Sequence, residues 1–257
     1  MTETAQDLLF DLTLTDDQRM NRETMQRFAA AEIRDLGKKV DEGEAAANDF
    51  YPLTAELGLT LLPIPEALGG AGMERSPLSN ALIMEDLAHG DMALALGSVA
   101  PLGFVNTLLD QGSDAQREKY LPGFCAGEFR AATTALVEPR ATFEPTQPKT
   151  TATASGDGYV LNGSKSMVPL GMEAELVLVV ANLDGAPAAL IVEGSPRGMQ
   201  RSPEANMGLL GAGLATLEFD NVQLPADALL GDGEFDLTRL LDLSRIGICA
   251  LAVGTCQ

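Results

Sequence analysis

The feature that most constrains this chain is a change of pattern at Ala131, followed by a change back after Leu224. Before Ala131 the apolar residues recur at helical spacing. From Ala131 to Leu224 they fall in short β-type runs separated by turn residues. A sequence that switches period in blocks cannot build alternating βαβ units. It predicts an α+β protein: an N-terminal all-α domain over 1–130, a middle antiparallel β-sandwich or barrel-like domain over 131–233, and the start of a C-terminal helical bundle over 234–257.

Local signals support the helical block. Thr15-Asp16-Asp17-Gln18 is a capping box, a Thr cap with Gln three residues on, and it opens a long amphipathic segment through Phe28, Ile33, Leu36 and Val40. Pro63 to Gly72 reads as a loop. Ser76-Pro77 sets proline at the first position of a helix running through Leu82, Ile83 and Leu87. A helix of small residues follows from about Met92 to Leu109, and Ser113-Asp114-Ala115-Gln116 caps another that ends near Gly127.

In the middle block the expected strands are 131–137, 149–154, 159–161, 176–181, 188–193 and 215–219. Gly156-Asp157-Gly158 and Asn162-Gly163 supply the positive φ angles of tight turns. Pro225 to Gly233 is a linker. From Phe235 to Gln257 the pattern is helical again, with an apolar face of Leu237, Leu240, Leu241, Ile248, Leu251 and Ala252. That face has no partner downstream, so the expectation is the first helix of a further helical domain that the chain does not contain.

Charge and residue chemistry remove several functions. The formal net charge is −20, with 37 acidic and 17 basic residues, so no basic footprint for nucleic acid exists and an anionic ligand must be held by local groups. No apolar run is expected to span a bilayer, and the acidic start Met1–Asp7 is neither a secretory signal nor a transit peptide. The expected location is cytoplasmic. Cys125, Cys249 and Cys256 show no pairing pattern and read as reduced, buried thiols. His89 is the one histidine, which rules out a His-rich metal site. It reads as the last turn of a helix before a C-cap Gly90. Gly208 to Gly213 has the wrong spacing for a dinucleotide loop, and no Walker loop or Gly-x-Ser-x-Gly elbow occurs. The adjacent acids Glu85-Asp86 and Asp16-Asp17 read as solvated helix faces. Ala93, Ala95, Gly97, Ala100 and Gly103 either let helices pack closely or leave room for a ligand.

Five segments in order carry a resemblance: Pro65–Gly72, Glu138-Pro139, Gly156–Lys165, Phe219–Pro225 and Leu241–Gly247. Together they resemble the acyl-CoA dehydrogenase family over essentially the whole chain. The resemblance implies FAD bound between the β-domain and a C-terminal helical domain, and an acyl-CoA thioester that loses a proton from Cα to a carboxylate and a hydride from Cβ to the flavin. It also implies a role in fatty-acid-type metabolism, a homo- or hetero-oligomer (dimer or tetramer) and an electron-transferring flavoprotein as electron acceptor.

The same resemblance locates residues. The family's Thr-Glu-Pro-Gly-Ala-Gly-Ser-Asp is Val137 to Glu144 here. Its Thr, which bonds the flavin pyrimidine, is Val137, and its Ser, which meets the pantetheine, is Phe143. Main-chain groups of Leu136 and Val137 remain for the flavin. The Trp that packs on the flavin ring is Met167, and Val168 follows it. The Thr whose hydroxyl reaches flavin N5 is Pro169, which carries neither hydroxyl nor amide hydrogen. The Arg and Ser of a Gly-x-Arg-Gly-Ser segment are Leu210 and Ala212. The implied cofactor set is thus Leu136, Val137, Met167, Val168 and Pro169. The implied substrate set is Ala100, Gly103, Phe143, Asp242 and Arg245. A minority of members place their catalytic Glu where Ser244 stands, so no catalytic base is named in these residues and it is expected from a C-terminal domain. Three functions follow: a dehydrogenase-type flavoenzyme inactive as this chain alone, a flavin-poor partner subunit, or a flavin-dependent monooxygenase on the same fold.

Overall fold

The computed structural model describes residues 13–231 and 233–257, so the expectation for Met1–Asp7 lies outside the described residues. The helical block begins with α1 (Asp16–Phe28). Thr15 Oγ1 accepts from the Gln18 amide at 3.2 Å and Gln18 Oε1 accepts from the Thr15 amide at 3.0 Å, which closes the capping box. A π-turn at Ala29–Ile33 carries the chain into α2 (Arg34–Asp41). The short α3 (Tyr51–Thr54) leads to α4 (Pro77–Ala88), capped by Ser76 with Pro77 in its first turn. Next come α5 (Met92–Gln111), capped by Asp91, and α6 (Asp114–Tyr120), opened by the Ser113–Gln116 capping box.

The β block is one curled sheet of seven strands: β1 (Ala132–Ala135), β2 (Thr151–Ser155), β3 (Gly158–Val168), β4 (Leu176–Leu183), β5 (Ala186–Glu193), β6 (Met199–Pro203) and β7 (Ala215–Pro225). Their order is β1-β4-β2-β3-β7-β6, with β5 on the other side of β4. The sheet is not purely antiparallel as expected. β4 runs parallel to both β1 and β2, because its long apolar run pairs with each along a different stretch. β6 gave no signal in the sequence. Its residues do not alternate, and it is held as an edge by its ladder to β7.

The last helix, α7 (Leu237–Cys256), packs beside α4. A Cβ at Gly254 would lie 2.0 Å from the Glu85 carbonyl oxygen, so only glycine permits this approach. The expected open face is therefore largely covered. Leu237, Leu240 and Leu241 pack with Val180, and Leu251 joins the helical core, while Ile248 and Ala252 stay exposed.

Three further expectations change. Asp86 is buried, not solvated: Arg22 donates to it through Nε (2.9 Å) and Nη2 (2.7 Å), and Gln26 adds a third bond at 2.9 Å. Cys249 and Cys256 are exposed, because their positions on α7 face outward, and Cys125, just past the short turn Leu121–Phe124, is half-buried. Gly90 is not in the left-handed conformation of a C-cap glycine. It is needed because a Cβ there would meet the Ile33 side chain at 2.8 Å, and His89 is held by Arg34 Nη2 at 2.7 Å from Nε2. By length and composition α5 could cross a membrane, but its apolar stretch is 67% buried and it serves as the core helix between the two blocks.

Candidate functional site

A cavity of about 430 Å³ lies between α4, α5 and α7 on one side and β1 and β3 on the other. Helical spacing explains which residues reach it. On α5, Leu96, Val99, Gly103, Asn106 and Asp110 recur every three or four residues and so share one face, and on α4 Pro77, Asn80 and Met84 do the same, with Ala81 next to Asn80 on that side. The lining changes character along the helices. One end is polar, with Arg75, Asn80, Asn106, Thr107, Asp110 and Arg239. The other is apolar, with Met84, Leu96, Val99, Ile248 and Leu251. The span from Leu96 to Asp110 along α5 is about 21 Å at 1.5 Å per residue.

The floor is set by a bulge in β3. The pairing with β7 shifts register between Lys165 and Val168, and Met167 sits at φ 53°. In a regular strand Lys165 and Met167 would share one face. The extra residue breaks that alternation: Lys165 and Val168 turn into the interior, while Met167 is 41% exposed and reaches the cavity. Beside it, Val137 accepts at its carbonyl from the Ser166 amide at 2.9 Å. Val137, Met167 and Pro169 thus line the floor, with the buried Ser166 between the strands.

Beneath the floor, Lys165 Nζ donates to the Leu136 carbonyl (3.0 Å) and to Glu138 Oε1 (3.1 Å). Glu138 also accepts from the amides of Lys149 (2.9 Å) and Thr150 (2.8 Å) and forms an ion pair with Arg140 Nη2 at 3.0 Å. Burial would raise the Glu138 carboxyl, but those amides and Lys165 outweigh it and pull it down to about 2. Burial brings the Lys165 ammonium down to about 8 against the attraction of Glu138.

The structure gathers Leu136, Val137, Met167, Pro169, Ala100 and Gly103 around this one cavity. It does not bring the other four to it. Val168 is 1% exposed in the core of the sheet. Phe143 sits under the Arg140 guanidinium, 5.9 Å from the ring centroid. Asp242 and Arg245 form an exposed ion pair at 3.4 Å on the outer side of α7. Ser244 does line the cavity, as a hydroxyl.

Sequence reasoning missed the charged cluster at the polar end. Asp110 Oδ1 pairs with Arg75 Nη1 at 2.5 Å and Asp110 Oδ2 with Arg239 Nε at 2.8 Å. Burial pushes the Asp110 carboxyl up, yet the two guanidiniums hold it below its ordinary range. It is the only carboxylate among the described lining residues. The signal that could have found it was the seven-residue step from Gly103 to Asp110, two helical turns along one face.

For a flavin, the floor offers groups that suit the face of an aromatic ring. Met167 and Val137 present apolar surface, and Ser166, Thr133 and Thr134 put hydroxyl groups on the same lining. The donors that Thr would provide at 137 and 169 are absent.

Comparison with known proteins gives matches over both blocks. Residues 15–128 match the model of the acyl-CoA dehydrogenase N-terminal domain and residues 133–222 that of the acyl-CoA dehydrogenase middle domain. The chain is 35% identical over 257 residues to a probable acyl-CoA dehydrogenase, YngJ, of Bacillus subtilis, covering 95% of this chain and 66% of that protein. It is 30% identical over 259 residues to mitochondrial isovaleryl-CoA dehydrogenase of Pongo abelii, covering 95% and 60%. The solved structure of butyryl-CoA dehydrogenase from Megasphaera elsdenii superposes with a TM-score of 0.84 at 28% identity, covering 95% of this chain and 67% of that one. The chain therefore spans under two thirds of the length of these two curated relatives.

Proposed function

The chain belongs to the acyl-CoA dehydrogenase family, and from that premise we propose that it forms the flavin- and thioester-binding part of an oxidoreductase acting on the CH–CH bond of an acyl thioester. The observation that carries the reading is the graded cavity: charged and amide groups at one end, apolar side chains at the other, and Val137, Met167 and Pro169 along its floor. An acyl thioester has the same grading.

In this reading the acyl tail lies among Met84, Val99 and Ile248, where it leaves water, and the polar part lies toward Asn106 and Asp110. Val137, Met167 and Pro169 hold the ring of the flavin, and the Leu136–Val137 main chain borders it. When bound, that group supplies the hydride acceptor. The helices α4, α5 and α7 exclude water from the reacting carbons. The proton from Cα needs a carboxylate that is free to accept it. Asp110 is engaged by two guanidiniums and Ser244 is a hydroxyl, so neither serves. We assign that base to residues outside these 257, and the onward electron acceptor to an electron-transferring flavoprotein.

The test is equilibrium binding of straight-chain acyl-CoA esters to the chain by calorimetry, with FAD present. Affinity should rise about fourfold per methylene, from about 0.8 kcal/mol per buried CH₂, until the apolar end is filled. Reduction of an artificial electron acceptor should stay at background. Absence of saturable binding at every chain length would remove the reading.

A further inference from the structure

We propose that Arg75 and Arg239, gathered on Asp110 at the polar end of the cavity, form an anchor for an anionic group of the ligand, a phosphate or a carboxylate. The proposal rests on the thioester reading and adds to it the groups that hold the ligand's charge.

The first argument is electrostatic. A chain of net charge −20 repels an anion at long range, so capture must come from a local cationic site. At the lining of the cavity the cluster sets two guanidiniums against one carboxylate, and Asp236, whose Oδ1 accepts from the Arg239 amide at 2.9 Å, lies off that lining.

The second is the donor count. Arg239 reaches Asp110 through Nε, and Arg75 reaches it through Nη1, which also approaches the Asn106 carbonyl at 3.5 Å. Arg239 Nη1 and Nη2 make no hydrogen bond among the described residues. The guanidinium fork offers parallel N–H groups that suit a phosphate or carboxylate. With side-chain exposures of 36% and 51%, both arginines are open to a ligand, whereas Asp110 at 9% is not.

The third is placement. Arg75 precedes α4, Arg239 lies in the first turn of α7 and Asp110 lies in the last turn of α5. The positive ends of two helix dipoles therefore converge here against the negative end of one. Asp110 keeps the two guanidiniums together, which otherwise repel each other.

A purely structural clip of three helices makes the opposite forecast for one variant, and that decides the matter. Binding of hexanoyl-CoA, hexanoyl-pantetheine and the six-carbon ω-carboxyacyl-CoA is measured for the wild-type chain and for Arg75→Gln/Arg239→Gln, Arg239→Lys and Asp110→Asn, with thermal melts to establish folding. The anchor predicts that at least one anionic ester loses tenfold or more in the double arginine variant. Arg239→Lys loses several-fold, because it keeps the charge without the paired N–H groups, and Asp110→Asn binds as tightly as wild type or tighter, although its melting temperature falls. If the anchored group is a phosphate, hexanoyl-pantetheine is indifferent to the arginine changes. If it is the ω-carboxylate, the ω-carboxy ester loses more than hexanoyl-CoA. A folded double variant that binds every ester like wild type overturns the anchor while the thioester reading stands. So does an Asp110→Asn loss equal to that of the arginine variant. If the wild type binds no ester at all, both fall.

Discussion

Lys165 and Glu138 meet at 3.1 Å inside the sheet, with side-chain exposures of 0% and 3%, directly beneath the two chain segments that floor the cavity. The lysine ties the Leu136 carbonyl to the same carboxylate that collects the amides of Lys149 and Thr150. One buried pair thus fixes the path of residues 136–138 relative to 165–167.

Replacing Lys165 by Met should cost about 3–5 kcal/mol, because Glu138 then stays buried without its ammonium partner. Urea unfolding of the variant at neutral pH measures it. The acid dependence has a definite sign. Glu138 has a folded-state carboxyl depressed to about 2 from an ordinary 4.5, so its contribution is complete above 4.5 and is lost as pH falls toward 2. Wild-type urea midpoints should decline over that window, and the decline should be shallower in Lys165→Met, whose carboxyl is less depressed.

Gly103 is a helix-interior glycine facing the cavity, where an added Cβ would meet nothing within 4 Å. Gly103→Ala should therefore stabilise the chain by about 1 kcal/mol through helix propensity. Gly103→Leu should keep that gain but fill part of the cavity. Its affinity for short and long acyl esters alike should drop, because Gly103 lies on α5 between Val99, beside the tail, and Asn106, beside the polar part. Wild-type affinities in a folded Gly103→Leu would place the acyl chain elsewhere.

Gly254→Ala should loosen the wall formed by α7. The new methyl would fall 2.0 Å from the Glu85 carbonyl oxygen and 3.0 Å from its Cα, and backbone cannot step aside as a side-chain tip can. A loss of about 1–3 kcal/mol is expected in denaturant unfolding, in the range of overpacked interiors. Cys256, two residues on at the end of α7 and exposed, should become more reactive to a thiol reagent as that end lifts.

Val137→Thr with Pro169→Thr should tighten flavin binding. Each restores a hydroxyl on the cavity floor, and a neutral hydrogen bond is worth about 1 kcal/mol net, or about fivefold per position. Flavin fluorescence titration reads the change. No gain in the double variant would mean that the flavin is held by main-chain and apolar contacts alone.

Much of the architecture was legible because it is written locally. Thr15 with Gln18, Ser76 with Ser79, and Ser113 with Gln116 each satisfy helix-end amides within four residues, so their geometry follows from neighbours in the chain. The turn glycine Gly156 and the apolar runs of β4 and β5 are of the same kind, whereas Gly163, expected in a tight turn with Asn162, lies inside β3 at a register shift against β7, because the strand pairs on past it. β6 was not legible, since nothing but its ladder to β7 makes Met199–Pro203 a strand.

The site divides along the same line. The sequence alone determined which elements exist, their order, the floor residues named by likeness, and the absence of an available base at Ser244. Tertiary structure decided what each side chain meets. It placed Arg75 from the segment before α4, Asp110 from α5 and Arg239 from α7 together, buried Asp86 on Arg22, and left Asp242 and Arg245 in solvent. It also turned Met167 outward and Val168 inward through a bulge. The physical reason is range. Caps, turns and hydrophobic period act over a few residues and are set by backbone sterics and nearby hydrogen bonds, whereas the partner of a charge or the facing of a bulged residue depends on how helices and sheet pack across the whole chain.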